Sequence, residues 1–571
     1  MGDALITRRG GAGGGKIVNG REVNAYSTNP IEANSFVNIN RDGRDYTDII
    51  PVDSSASAST TYHTGTLPFV LPLTDTKSLL FYNVLSNNSI MVCVCNKTSA
   101  GVSKGTSLAL TDFNLDSIYQ YSYVLSKYSV LKLSETKVLL TIDNNNTEGG
   151  SKVIILDVNG NIITKVGELS FTAYTNFKTC TMLMMDSTHV MMFYGKRTTT
   201  GANYSKYASI ITISGNTISL LVETNTNLYT AEEDKYLKMV ATKADANTVY
   251  VLTPYAAEGG LTLFRAKVDY GAANIAFKVL NIDTSSWNAS RVNAVKVLNS
   301  TKLLIAYTKL VSIGSSGQYY ARAYSIVNIT ETTLSLVETK TLDSSVNTII
   351  KNYGTYSTFT MYPEGYLYEI DDTGFKFFDM IHCPVENVFK YAVVEINLES
   401  LSITVWGDTL YSYSFSVLYR KISGKDTSRQ ANFDQYGYNA ISISPKKGII
   451  IATDGETFLD NNSNTFFSYY RFEVDLINKK VIINYAYEMT PVQYFSYAQC
   501  CLMCSENNVS FAFVNQPDSA DKRIKFCMFM VTPDIICADN VKLNTKDILS
   551  IGITKNKILA KNVGKMYVVQ S

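Results

Sequence analysis

Three histidines and nine cysteines are the residues of this 571-residue chain best suited to metal binding or nucleophilic chemistry, and their spacing argues against both. A zinc site needs convergent donors, yet no two of His63, His189 and His382 stand at ligand spacing. In Cys500-Cys501-Leu502-Met503-Cys504, Cys501 and Cys504 have the x-x spacing of a metal pair. On an extended strand those positions point to opposite faces, and no second pair follows within reach. Cys93 and Cys95 share one strand face and, like the first group, read as buried core. His382-Cys383, near Asp379, are adjacent, whereas catalytic dyads are usually assembled from distant segments. No nucleophile elbow, phosphate-binding loop or dinucleotide fingerprint occurs in a strand–turn–helix context. Glycoside cleavage needs two carboxylates about 5–10 Å apart. Glu232-Glu233 and Asp371-Asp372 supply pairs that surface turns explain equally well. The expectation is a chain without catalytic residues, metal or cofactor.

Recognition chemistry is better represented, with 39 tyrosines against 2 tryptophans. Tyrosine offers a flat apolar face tipped by a hydroxyl, suited to sugars and to protein interfaces. Clusters occur at Tyr319-Tyr320, Tyr411-Ser412-Tyr413 and Tyr469-Tyr470, and alternating aromatics of this kind also fill sheet faces. Tyr411 and Tyr413 begin a segment, 411–435, that reads as an insertion, where binding function tends to collect. Tyr319, Tyr320, Tyr411 and Tyr413 are therefore the expected ligand-binding residues.

The elements that carry these residues repeat. A polar tetrad followed by an apolar, β-branched burst recurs at Ser86–Ser89, Ser134–Lys137, Asp186–His189, Asp245–Thr248, Asn299–Lys302, Pro445–Gly448, Ser505–Asn508 and Thr554–Lys557. A divergent copy starts at Pro363. Each tetrad is followed by a second pair of strand-like runs, clearest in Lys152–Val158, Asn159-Gly160-Asn161 and Ile162–Val166, where Asn-Gly suits a tight hairpin. Two hairpins make a four-stranded module, and a long fixed period of such modules marks a repeat architecture. The spacing predicts an all-β fold, a β-propeller of about eight to nine four-stranded repeats, over 61–571. The last unit, 548–569, has room for about three strands, and Leu67–Leu71 is expected to complete it.

Residues 1–60 differ in material. Gly10–Gly15 and the small, polar stretch Ser54–Thr61 cannot form a core, so 1–60 is expected to be an extended Gly-rich arm. Composition narrows the partners. With 51 basic against 50 acidic residues the net charge is +1, and no basic cluster suited to nucleic acid follows the N-terminus. No apolar run reaches the roughly twenty residues of a membrane span, and the N-terminus lacks the apolar segment of a signal peptide.

The opening Ala4-Leu5-Ile6-Thr7-Arg8-Arg9-Gly10-Gly11 resembles the N-termini of virion proteins from tailed bacteriophages of Gram-positive hosts, especially tail- and fibre-associated proteins. The resemblance implies that Leu5, Ile6, Thr7, Arg8, Arg9, Gly10 and Gly11 attach the chain to other virion proteins of the tail, baseplate or capsid. Arg8 and Arg9 could bond carboxylates bidentately. On that reading the protein is made in the host cytoplasm, joins the virion in symmetric copies, and binds a receptor such as a host cell-wall glycan. A head or collar decoration protein, a polysaccharide-degrading tail spike and a cellular interaction scaffold are the alternatives.

Overall fold

In the computed structural model the described backbone consists of strands and turns between Arg21 and Val569, with no helix among the described residues. Side chains are described chiefly within 69–406 and at 474–479.

Four of the polar tetrads, those at 134–137, 186–189, 245–248 and 299–302, fold as side-chain-capped turns. Asp186 Oδ1 accepts the N–H groups of Thr188 at 2.7 Å and His189 at 2.8 Å. Asp245 Oδ1 accepts Asn247 N–H at 2.7 Å, Asn299 Oδ1 accepts Thr301 N–H at 2.8 Å, and Ser134 Oγ accepts Lys137 N–H at 3.0 Å. The third residue of each tetrad has a further role. The carbonyls of Thr136, Thr188, Asn247 and Thr301 accept the N–H groups of Val158, Ile213, Val268 and Ile329. Each tetrad thereby ties its own hairpin to the strand that follows.

The second hairpins close in two ways. Gly160 and Gly215 take φ of 61° and 62° as the first residues of two-residue Gly-Asn turns, where glycine at the first central position, rather than the expected Asn-Gly pair, supplies the positive φ. The corresponding four-residue turns place Ala273, Leu401 and Lys479 at φ 47°, 51° and 51°. There Asp269, Asn397 and Asp475 cap the turn, accepting N–H from Ala272, Ser400 and Asn478 at 3.0, 2.9 and 3.0 Å.

Among the described residues, five four-stranded and three five-stranded antiparallel sheets make eight blades. The first strands run Phe69–Thr74, Val130–Lys132, Thr175–Met184, Val240–Lys243, Arg291–Asn299, Tyr366–Glu369, Tyr438–Ser444 and Ala498–Met503 for blades 1 to 8. These strands touch in order from blade 1 to blade 6, and from blade 7 through blade 8 back to blade 1. Second strands such as Lys137–Ile142 are buried almost throughout, whereas fourth strands such as Ile162–Ser170 and Leu334–Thr341 are largely exposed. First strands therefore surround the axis and fourth strands form the rim: the fold is a β-propeller.

Its core lies between blades. Strand alternation sends Val138, Leu140 and Ile142 into the cluster shared with blade 1, and Leu139 into the cluster shared with blade 3. Polar clasps reinforce consecutive junctions. Asn96 of blade 1 donates to Asn161 in the turn of blade 2 at 2.5 Å, and Lys137 of blade 2 donates to Asn216 in the turn of blade 3 at 2.7 Å. Arg265 of blade 4 donates to the carbonyls of Thr330 and Glu331 in blade 5.

Closure differs from expectation. Blade 8 takes its fourth strand, Thr47–Asp53, from the N-terminal region, paired along Arg523–Met530. Phe69–Thr74, which contains most of the segment expected to complete 548–569, instead begins blade 1. Ile551–Thr554 and Asn562–Val569 enter a small closed barrel with Arg21–Ser27, Phe36–Asn40 and Ile535–Asn540. Thr554, which opens the last tetrad, thus ends a barrel strand rather than starting a ninth blade, and 555–557 lie outside the described residues. The expected arm is likewise not all arm, since three of its segments are strands whose partners lie at the opposite end of the chain. Gly10–Gly15 and Ser54–Thr61 lie outside the described residues.

The topology gives the propeller two poles. First–second and third–fourth strand turns gather at one, here the tight-turn pole. Second–third connections and blade-to-blade connections gather at the other, the long-loop pole. Thr47 pairs with Phe529, so the two ends of blade 8 that lead in sequence to the barrel strands, Thr47 and Met530, both lie at the tight-turn pole.

Candidate recognition pole

Tyr319 and Tyr320 lie in a strand. They occupy the third strand of blade 5, Gly317–Ile329, opposite Ser312 and Leu310 of Lys302–Gly314, close to the paired ends Gly314 and Gly317 at the long-loop pole. The fourth strand of this blade, Leu334–Thr341, pairs only as far as Ala323, and the sheet resumes with Ile350–Asn352 beside Gln318–Tyr320.

Blade 6 repeats this plan. Its fourth strand, Ser402–Val405, pairs as far as Val394, and Tyr411–Tyr413 resumes the edge, with Tyr411 opposite Tyr391 and Tyr413 opposite Phe389. The predicted insertion therefore starts as an added strand, and 414–435 lies outside the described residues. Ile350–Asn352 touches Lys376–Cys383, the second strand of blade 6. Tertiary structure brings both tyrosine pairs to one pole on neighbouring blades.

A buried polar clasp underlies them. Arg322, two residues from Tyr320, donates from Nε to Asp379 Oδ2 at 2.7 Å, and from its second amino group to Oδ1 at 3.3 Å. The Tyr324 hydroxyl donates to Oδ2 at 2.6 Å. The Arg322 and Asp379 side chains are 3% and 1% exposed. Burial lifts the Asp379 carboxyl above its ordinary value, against the pull of Arg322 and the Tyr324 hydrogen bond. Burial, then the Asp379 charge, raises the Tyr324 phenol. Both effects fit a blade-to-blade clasp sealed from solvent. Sequence reading placed Asp379 only beside His382-Cys383 and missed Arg322; the available signal was one charged residue interrupting each apolar run, Arg322 between Ala321 and Ala323, and Asp379 between Phe378 and Met380.

Blade 3 carries a second cluster near the same pole. Glu223 accepts Lys196 Nζ at 2.6 Å and the Tyr194 hydroxyl, while Lys196 lies 5.0 Å from the centre of the Tyr207 ring. Burial foremost, then Glu223, pushes the Tyr194 phenol far above its ordinary value. It is a fixed donor here, not a nucleophile.

At the tight-turn pole His189 Nδ1 meets Asp186 Oδ2 at 2.8 Å, and its ring lies 4.4 Å from that of Tyr270 in blade 4. Hydrogen bonds from Thr188 and His189 overcome the opposing effect of burial and hold the Asp186 carboxyl at about 2. Burial, with Asp186 and Asp245 nearby, pushes Tyr270 up to about 12. Asp371, one of the acidic pair noted in the sequence, accepts Thr373 and Lys376 within a turn. Among the described residues no group of three metal-binding side chains forms. Cys93 and Cys95 are buried, as expected. Leu5–Gly11, His63, Glu232, Glu233 and the side chains of His382, Cys383, Cys501 and Cys504 lie outside what is described.

No family model matches the chain, and no curated protein matches it. Solved structures resemble it at low identity. The β-propeller domain of the Trilobed protease from Pyrococcus furiosus is 8% identical, with 70% of this chain and 92% of that one covered and a TM-score of 0.30. The NanB sialidase from Streptococcus pneumoniae is 9% identical, with 89% and 94% covered and a TM-score of 0.32. Prolyl oligopeptidase B from Galerina marginata is 8% identical, with 86% and 56% covered and a TM-score of 0.35. These likenesses include enzymes and establish no activity for this chain; the propeller stands on its own sheet topology.

Proposed function

We propose that this chain is a bacteriophage virion structural protein, attached to the particle by its N-terminal residues and acting by adhesion rather than catalysis. The observation that carries the reading is the separation of the two poles. The strand that follows residues 1–20 belongs to the barrel, reached in sequence from the ends of blade 8 at the tight-turn pole, whereas Tyr319, Tyr320, Tyr411 and Tyr413 sit toward the long-loop pole. A body held at one end and presenting aromatic strands at the other suits a tail-fibre or baseplate receptor-binding protein. Its receptor would be a host cell-wall glycan, bound through tyrosine faces and hydroxyls. Leu5–Gly11 would contact tail, baseplate or capsid proteins, in copies set by the symmetry of the attachment site.

The test has two arms. Deleting residues 1–20 is expected to leave a folded body that no longer joins particles; continued incorporation would remove the attachment role. The isolated body is expected to adsorb to host cell walls and compete with infection. A body that joins particles but adsorbs to nothing points to head or collar decoration, and shortening of host polysaccharide points to a depolymerase.

A further inference from the structure

We propose that the small barrel is a lock on the N-terminal segment that only the C-terminal strands complete, so that losing them frees residues 21–46 without opening the propeller ring. The inference follows from pairing. Arg21–Ser27 runs antiparallel along Asn562–Val569, from Arg21 opposite Val568 to Ser27 opposite Asn562, and parallel to Ile535–Asn540 at Asn24–Tyr26. Phe36–Asn40 pairs with Ile535–Asn540 and Ile551–Thr554. Within the barrel order these two N-terminal strands are never neighbours, so every strand partner of each comes from residues 535–569. A lone strand leaves its backbone groups to water, and even a two-stranded ribbon is marginal.

The next strand has the opposite dependence. Thr47–Asp53 pairs with Arg523–Met530 inside blade 8, and none of its partners lies beyond Phe529. Blade 8 in turn touches blade 1 through Ala498–Met503 and Phe69–Thr74. The boundary between what needs the C-terminal strands and what does not thus falls between Asn40 and Thr47. The two halves of the lock come from 21–40 and 535–569, so residues 1–20 gain a firm mount only when 535–569 is in place.

Two variants test this, one truncated and one of full length. The truncated one ends at Met530. The other is Met566→Pro, at a position paired with Val23 on one side and Thr554 on the other, where proline cannot join the ladder. Chymotrypsin has target residues within both N-terminal strands, at Tyr26 and Phe36. In either variant cleavage there is expected to accelerate about tenfold or more, as for a segment released to local unfolding, while 47–530 persists as a resistant fragment. Unchanged protection of Tyr26 and Phe36 in both variants overturns the lock. So does loss of 47–530 at the same rate as 21–46, which would make ring and barrel one unit.

The consequence for particle attachment rests on the function proposed above. Both variants, with residues 1–20 present, are expected to fail to join particles as the 1–20 deletion does. If intact chain joins and both variants join equally, the mount is unnecessary and that half of the inference falls. If intact chain itself does not join, the virion reading fails while the protease map still decides the lock.

Discussion

Arg322 of blade 5 and Asp379 of blade 6 meet across a blade junction with Nε and Oδ2 2.7 Å apart, both side chains almost wholly buried. Removing one partner leaves the other charge buried and uncompensated, at a cost of about 3–5 kcal/mol. Asp379→Ala is therefore expected to lower the unfolding free energy by that amount. Combining Arg322→Met and Asp379→Leu with Tyr324→Phe is expected to come close to neutral, because desolvation of both charges disappears with them and no buried hydroxyl is left without its acceptor. Denaturant unfolding of the single and combined variants separates the two; a mild single-mutant effect would mean that water reaches the pair.

Acid sensitivity is expected at the turn between the first two strands of blade 3. The Asp186 carboxyl is depressed to about 2 in the folded chain, against about 3.9 when unfolded. A depressed carboxyl contributes stability that is present above the unfolded value and lost as pH falls from about 4 toward 2. Glu168 and Asp371 are also lowered, so they act in the same direction. Thermal melts at pH 7, 4 and 2 should show the gap between the native chain and Asp186→Asn narrowing at the acid end; a constant gap would exclude the carboxylate as its source.

Backbone conformation and packing separate at two glycines. A Cβ added at Gly160 meets nothing within 4 Å, so Gly160→Ala is expected to cost only the strain of φ +61°, about 1 kcal/mol. At Gly167 the added atom would lie 2.1 Å from the Asn216 carbonyl oxygen of the next blade. Gly167→Ala is expected to cost more, about 1–3 kcal/mol, by forcing the junction apart. The reverse change, Lys479→Gly at φ 51° in an exposed turn, should stabilise by up to about 1 kcal/mol. Chemical denaturation of the three variants gives the order directly, and equal losses at both glycines would refute the packing argument.

Adhesion, if it is the activity, should respond to the tyrosine strands independently of stability. Pairwise alanine replacement at Tyr319 and Tyr320, or at Tyr411 and Tyr413, is expected to weaken adsorption of the isolated body to host cell walls about tenfold or more, the scale of aromatic hot spots. Melting temperature should change little for Tyr411 and Tyr413, which lie on an added edge strand. Unaltered adsorption in both variants would move recognition elsewhere on the body.

The strands themselves were legible because their signals are local. Ser134, Asp186, Asp245 and Asn299 announce their turns through side chains that cap neighbouring amides, and Gly160 and Gly215 supply the turn conformation directly. The continuous apolar run from Val138 to Leu140 has its reason in burial on both faces between two blades. The Thr554 tetrad misled for the same reason, since a turn signal identifies a hairpin and says nothing of the sheet that hairpin joins.

The sequence by itself determined the all-β class, the hairpin repeat, the approximate number of modules and the tyrosine clusters, all of which depend on contacts within a few tens of residues. Tertiary structure alone decided which strand closes blade 8, that Arg21–Ser27 lies between Ile535–Asn540 and Asn562–Val569, that Arg322 meets Asp379, and that both tyrosine pairs share a pole. Those relationships join distant segments through pairing register and blade order. Alternation along a strand shows that a residue is buried, but not which neighbouring blade it is buried against.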